Sequence, residues 1–214
     1  CARGVYGATR CFEGEITLLE EAGEPVRHWQ RVRLHIGTSD VVARVALLEG
    51  ALLHPGETKA AQIVAEEDVV CLVDQRFVLR KYSPLETIGG GRVLFPYGVK
   101  PKGRKARMAC TTRIRSLAGA RGPEERLLAL AESFVMLDLA QGALYIQETL
   151  ADTARMAENL KRTEKAVFLQ GEQKLLLSRE SFQKLANAVE SFLASYHEAY
   201  PSQKGAPPDE TALS

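Results

Sequence analysis

Gln75-Arg-Phe-Val-Leu-Arg-Lys-Tyr-Ser-Pro-Leu-Glu-Thr-Ile-Gly-Gly-Gly91 is the stretch whose reading decides the fold. Arg76 to Tyr82 has the composition of a strand, Ser83-Pro84 punctuates it, and Gly89-Gly-Gly91 runs straight into Arg92-Val-Leu-Phe95. A phosphate cradle needs its glycines between a strand and a helix, with Lys-Ser or Lys-Thr behind them. Here a second strand follows. The glycines therefore predict a bulge or a close backbone approach within a barrel strand.

Towards the N-terminus the strand pattern repeats. Cys11-Phe-Glu-Gly-Glu-Ile-Thr-Leu-Leu19, Val32-Arg-Leu-His-Ile36 and Arg44-Val-Ala-Leu-Leu48 alternate, and Gly37-Thr-Ser-Asp40 between two of them reads as a hairpin turn. Lys59 to Glu66 supplies a further strand, with Pro55-Gly56 ahead of it. About six short strands at this spacing predict a closed antiparallel barrel or a sandwich.

After Pro96 the period changes. Residues 97–121 hold Lys100, Lys102, Arg104, Lys105, Arg107, Arg113, Arg115 and Arg121 without one Asp or Glu, and read as a basic linker partly ordered against its neighbours. Gly122-Pro-Glu-Glu125 then opens a helix, with proline at its first position and acids in its first turn. Its apolar face is Leu127, Leu128, Leu130, Ala131 and Phe134. Further helical stretches run from about Ile146 to Ala154 and from about Ala157 to Glu164. Ala166-Val-Phe-Leu, Gln170-Gly-Glu-Gln and Lys174-Leu-Leu-Leu make a small hairpin. Ser178 caps a long helix with an expected buried stripe of Phe182, Leu185, Ala186, Val189, Phe192, Leu193 and Tyr196, which Pro201 ends. Three short helices, a two-stranded wing and a trailing helix form a winged helix-turn-helix pattern.

The fold class is thus mainly β, then α: a barrel over 10–96, the basic linker over 97–121 and a winged helix over 122–200. The polar residues 201–214 are too few to fold alone.

With 28 Lys and Arg against 27 Asp and Glu, net charge excludes no class of partner and only local clustering is informative. The four cysteines, Cys1, Cys11, Cys71 and Cys110, form no close ligand pair, so a zinc site is not expected and the thiols read as those of a reducing cytoplasm. His28, His35, His54 and His197 lack metal-ligand spacing as well. No apolar run approaches the roughly 20 residues of a membrane helix. Cys1-Ala-Arg-Gly4 is neither a signal peptide nor an initiator, which suggests a piece of a longer chain. No nucleophile, metalloprotease or paired-carboxylate pattern marks an active site.

The basic run from Lys100 to Arg121 is the strongest electrostatic feature. It is either a solvated linker or a contact to nucleic-acid phosphates, and without interleaved aromatics it suits a duplex backbone better than stacked single strands. In the winged helix, Glu158 and Glu164 offset Lys161, Arg162 and Lys165 on the candidate reading helix, and the wing tip carries Glu172. That charge balance suits a spacer or a protein contact better than a groove reader.

Three barrel segments resemble one family. Arg33-Leu-His-Ile-Gly-Thr-Ser-Asp-Val-Val-Ala-Arg-Val45 is similar to the third-domain hairpin of EF-Tu-like factors, in the form found in selenocysteine-specific elongation factors. Leu53-His-Pro-Gly-Glu-Thr-Lys-Ala-Ala-Gln62 resembles that branch's L-x-P-G-E-x-x-x-A-Q. Gln75 to Gly91 is close to its D-R-F-V-L-R-x-x-S-P-x-x-T-I-G-G-G. Ser195-Tyr-His-Glu-Ala-Tyr-Pro201 resembles the junction between the family's first and second winged helices, with Tyr200 where Asn is usual. Arg3-Gly4 resembles the tail of a preceding barrel, assigned to 1–9, and Pro207-Pro-Asp-Glu210 the opening of a second winged helix within 201–214.

The resemblance implies a monomeric cytoplasmic piece of a factor that carries selenocysteyl-tRNA to the ribosome. The complete factor would bind GTP and Mg through a GTPase domain outside these residues, and read a selenoprotein mRNA hairpin through later winged helices. The piece itself would hold no cofactor and catalyse nothing. The third domain of related factors contacts the tRNA acceptor arm and T-stem, which makes Thr38, Ser39, Arg80, Lys81 and Arg92 candidate RNA contacts, joined by Lys100, Lys102, Arg104 and Lys105 of the basic run. The alternative is a DNA-binding winged-helix regulator with a β-rich sensor domain.

Overall fold

Alternation of buried and exposed side chains is what closes the first half of the chain into a cylinder. The computed structural model describes residues 6–171 and 173–200; the readings placed on residues 1–5, on the wing tip Glu172 and on 201–214 lie outside them. Strands β1 (Ala8–Leu18), β3 (Gln30–Ile36), β4 (Ser39–Leu47), β6 (Thr58–Val70), β7 (Arg76–Lys81) and β8 (Thr87–Phe95) form a closed antiparallel barrel in the order β1-β6-β4-β3-β7-β8. A short ribbon of β2 (Val26–Arg27) and β5 (Leu52–Leu53) sits beside it. Phe12, Ile16, Val32, Leu34, Ile36, Val45, Ile63 and Leu79 point inward and are fully buried, and their neighbours of opposite parity point out. Residues 8 and 9, read as the end of a preceding domain, pair with Val70 and Val69 and belong to this barrel.

The three glycines behave as the strand reading requires. Gly90 pairs with Val78 and Gly91 with Phe77 in β8, between β7 and β1. A Cβ on Gly91 would press into the Glu15 carbonyl and stand 2.6 Å from Cζ of Phe77, while one on Gly90 would press into the Phe77 carbonyl. Strands approach here more closely than side chains permit. The glycines pair on both sides within the sheet and do not turn into a helix N-terminus, which is what a phosphate cradle requires.

Residues 97–121, read as a linker, contain helix α1 (Gly103–Gly119). The sequence hid it. The helix starts without a side-chain cap or an acid in its first turn, and puts basic residues at the end where the helix dipole disfavours them. Packing supplies what propensity lacks: Cys110, Arg113, Ile114 and Leu117 recur on one face and are buried.

The winged helix consists of α2 (Pro123–Ser133), β9 (Leu137–Asp138), α3 (Leu139–Ile146), α4 (Leu150–Arg162), β10 (Ala166–Gln170), β11 (Lys174–Ser178) and the trailing α5 (Arg179–Ala199). The helices expected over 146–154 and 157–164 are largely one helix, α4, and α3 ahead of them was not expected. Asp138 caps α3 by accepting from the backbone of Ala140 and Gln141, Gln147 ends it in the left-handed region at φ 59, and Thr149 caps α4. β9 was too short to show in the sequence; it pairs with β11 and makes the wing three-stranded. Ser178 caps α5 as expected, but of the predicted stripe only Tyr196 is buried, while Phe182 and Val189 are 37% exposed. The stripe is amphipathic without an extensive partner surface among the described residues.

One core spans the two halves. Leu48, Ala60, Leu94 and Phe95 of the barrel join Ile114, Leu117, Leu127, Leu130 and Leu176 in a single cluster. Tyr145 completes it, edge-on to Phe95 at 4.8 Å and stacked on Phe134 at 5.7 Å. Gln147 staples α3 to the barrel, donating to the Cys71 carbonyl at 2.8 Å and accepting from the Val73 amide at 2.7 Å.

Burial pushes the thiols of Cys11 and Cys71 up to about 12. At pH 8 only about one thiol in 10,000 is then ionised, against a sizeable fraction of an unfolded cysteine. Alkylation of these two by iodoacetamide, followed by peptide mass spectrometry, is expected to run about a thousandfold slower in the native chain than in urea. Comparable rates in both states would contradict the packing at this end of the barrel.

Candidate nucleic-acid interface

Strand parity places a cationic face on the outside of the barrel. Arg31 and Arg33 alternate with buried Val32 and Leu34 on β3, so both point out. In register, Arg33 pairs with Arg80 on β7 and Arg31 with Arg44 on β4. Opposed arginines on adjacent strands repel unless something anionic shares the face. The protein supplies partial compensation: Arg33 reaches Asp40 at 2.8 Å, Arg31 reaches Glu66 at 3.1 Å, and the Arg31 guanidinium lies 4.7 Å over the Tyr82 ring. The hydrogen bond from Arg33 holds the Asp40 carboxyl below its usual range. Arg80 donates through Nη2 to the Leu85 carbonyl at 3.1 Å, and its buried Nε has no partner. These forks are oriented in advance, the form in which arginine binds phosphate.

The expected contacts distribute unevenly over this geometry. Thr38 lies exposed in the β3–β4 turn, where Gly37 takes φ 57, and that turn begins roughly 10 Å along β3 from Arg33 at about 3.3 Å per residue. Ser39 is half-buried, opposite Ile36 on the inward side, and does not join the face. Lys81 also has inward parity, opposite Val32, and reaches Glu86 at 3.7 Å from the barrel's rim.

Arg92 is a half-buried cation whose guanidinium is already engaged. It sits 3.2 Å from Asp74 and 3.7 Å from Glu15 and donates to the Ala118 carbonyl at 3.2 Å, which makes it a strut between β8 and α1. Lys100 stands 5.1 Å over the Trp29 ring, and Lys102, Arg104 and Lys105 are exposed at the start of α1. Arg113 and Arg115 leave the basic run altogether, pairing with Glu13 and Glu49 of the barrel.

Arg31, Arg33 and Arg44 escaped selection as contacts although their spacing carried the signal. An arginine at every second position of a strand whose other positions are aliphatic must form an exposed stripe. The pairing of Arg33 with Arg80 is a long-range register and was not legible. Among the described residues no group of three or more His, Cys, Asp or Glu side chains is placed to hold a metal ion, and no helix is long and apolar enough to cross a membrane.

The class is that of a closed antiparallel barrel that shares its core with a winged helix and carries paired arginines on its outer face. Residues 11–100 match the family model described as the beta-barrel domain of the selenocysteine-specific elongation factor. Over 202 residues, 91% of the chain, the sequence is 28% identical to a selenocysteine-specific elongation factor of Desulfomicrobium baculatum, and the match covers 30% of that protein's length. The chain is thus similar to selenocysteine-specific elongation factors, through its barrel over residues 11–100 and through this relative over most of its own length.

Proposed function

We propose that the barrel grips selenocysteyl-tRNA by its sugar-phosphate backbone and that the winged helix is a rigid spacer, setting distance and angle between that grip and whatever follows in the complete factor. The observation that carries this is the register pairing Arg33 with Arg80 on an outward face flanked by Arg31 and Arg44. Phosphate contacts position a nucleic acid without reading sequence, which fits a face of forked cations and few amides. The spacer role rests on the helical half itself. On α4, Arg155 pairs with Asp152, Lys161 with Glu158, and Asn159 donates to Glu124 of α2, so the helix neutralises the groups a groove reader would present. GTP and its Mg ion would bind elsewhere in the complete factor, which delivers the tRNA at the ribosome in the cytoplasm; the glycine run of β8 lies inside a paired strand and leads into no helix.

The test is binding of selenocysteine tRNA to the chain across a salt series. Affinity is expected to fall linearly in logarithmic terms with salt. Replacing Arg33 and Arg80 together by glutamine should flatten that slope by about two, roughly one per phosphate contact removed. No binding at low salt, an unchanged slope, or tighter binding to a DNA duplex than to tRNA would each remove the proposed grip.

A further inference from the structure

Between the barrel and the segment leading into α1 lies a cavity of 310 Å3 lined by Trp29, His28, Gln62, Lys100 and Arg107. Its chemistry is unlike that of the arginine face. Gln62 is 1% exposed, and its Nε2 donates both to Glu13 Oε1 at 3.0 Å and to the Val99 carbonyl at 2.9 Å. Two acceptors on one nitrogen fix the orientation of the amide. Its Oε1, the remaining acceptor, has no donor among the described residues. The side chain is buried but this oxygen keeps access to the cavity, where it is an acceptor open to a donor from a ligand.

Trp29 supplies the second observation. It is the single tryptophan of the chain and adopts φ 71, a region that bulky residues rarely enter. Its amide donates to the Val45 carbonyl at 2.6 Å and its carbonyl accepts from Arg44 at 3.5 Å, so the fold pins it there. Strain maintained by surrounding contacts marks functional positions, and here it leaves the indole 37% exposed at the cavity. His28 donates from Nδ1 to the Leu47 carbonyl at 3.1 Å, which leaves Nε2 as an acceptor. Lys100 and Arg107 add two flexible, exposed cations.

We propose that this cavity binds one unstacked nucleotide, with its base on the Trp29 indole, its exocyclic amine donating to Gln62 Oε1, and its phosphate between Lys100 and Arg107. An aromatic platform, an open acceptor on an otherwise buried amide and a pair of cations are the three elements of single-nucleotide recognition. The volume is at the lower end of small-molecule sites, about 300 Å3 upward, and admits one nucleotide but no duplex. Rotation of the Lys100 stem carries its ammonium from the ring to the phosphate. The nucleotide comes either from an unpaired stretch of RNA or from solution.

Because Trp29 is the only tryptophan, its emission reports the cavity directly. Titration with adenosine, cytidine and uridine monophosphates should quench it saturably. The two amino-bearing bases should bind about tenfold tighter than uridine monophosphate, the effect of one hydrogen bond to that open acceptor. Lys100→Ala and Arg107→Ala, at exposed positions that leave the fold intact, should each weaken adenosine monophosphate about tenfold and leave unphosphorylated adenosine unchanged. A single-stranded oligoadenylate that displaces the monophosphate assigns the site to RNA; a monophosphate that binds and is not displaced assigns it to a free nucleotide. Unchanged emission up to millimolar nucleotide and oligonucleotide, or equal binding of uridine and adenosine monophosphates untouched by both alanine variants, would overturn the proposal. Neither outcome bears on the arginine face, which the Arg33 and Arg80 variants test separately.

Discussion

Replacing Gly91 by valine is expected to remove more than ~3 kcal/mol of the barrel's stability. Gly91 lies on β8, the strand that bridges β7 and β1, opposite Phe77 on one side and Ile16 on the other. Its missing side chain is what lets the Phe77 ring lie inward, where it meets Phe12 edge-on at 5.2 Å. A Cβ would collide with that ring and with the Glu15 carbonyl at once. The ring is only 3% exposed and the carbonyl belongs to a paired strand, so neither can yield cheaply. Overpacking a core costs about 1–3 kcal/mol where side chains can shift, and more where backbone must. A loss above ~3 kcal/mol is therefore expected, against a total stability of about 5–15 kcal/mol. Urea unfolding followed by circular dichroism measures it. Gly119→Ala is the matched control, since a Cβ there meets nothing within 4 Å. A Gly91→Val protein within about 1 kcal/mol of the parent would mean that β8 does not close the barrel as described.

The same glycines show why the barrel was legible in the sequence. A Gly-Gly-Gly run flowing into Arg92-Val-Leu-Phe95 has few physical explanations other than close strand approach, and the alternation in β1, β3, β4 and β6 states the inward face outright. Cap residues announced α2 and α5. What stayed hidden depends on contacts far apart in the chain. Helix α1 has no start signal, and its face reads as amphipathic only when Arg113 counts as buried, which depends on a carboxylate a hundred residues away. Arg92 looked like a free cation for the same reason, because Asp74, Glu15 and the Ala118 carbonyl come from three separate segments. The α5 stripe failed in the opposite sense. Periodicity reports that a face is apolar, not that something covers it.

Arg113 leads to the second large effect. Its guanidinium meets both oxygens of Glu13 at 2.6–3.0 Å, with Glu13 wholly buried and Arg113 8% exposed, and it lies 4.7 Å over Phe95 and 5.4 Å from the Phe134 ring. This pair joins β1 to α1 through the core that both halves share. Removing one partner strands a charge in an apolar setting, so Glu13→Ala and Arg113→Ala are each expected to lose about 3–5 kcal/mol. The pair itself is not expected to be worth that sum, because desolvation offsets most of its attraction. Glu13→Leu combined with Arg113→Met should therefore lose far less than Glu13→Leu and Arg113→Met lose separately, and the shortfall is the coupling energy of their double-mutant cycle. Urea melts of the four proteins give the cycle. If barrel and helices move as one rigid spacer, the single variants should also unfold with a lower denaturant slope or in two steps, as the halves uncouple. Single variants that lose less than about 1 kcal/mol would show that the barrel and α1 hold together without this contact, through the apolar core they share.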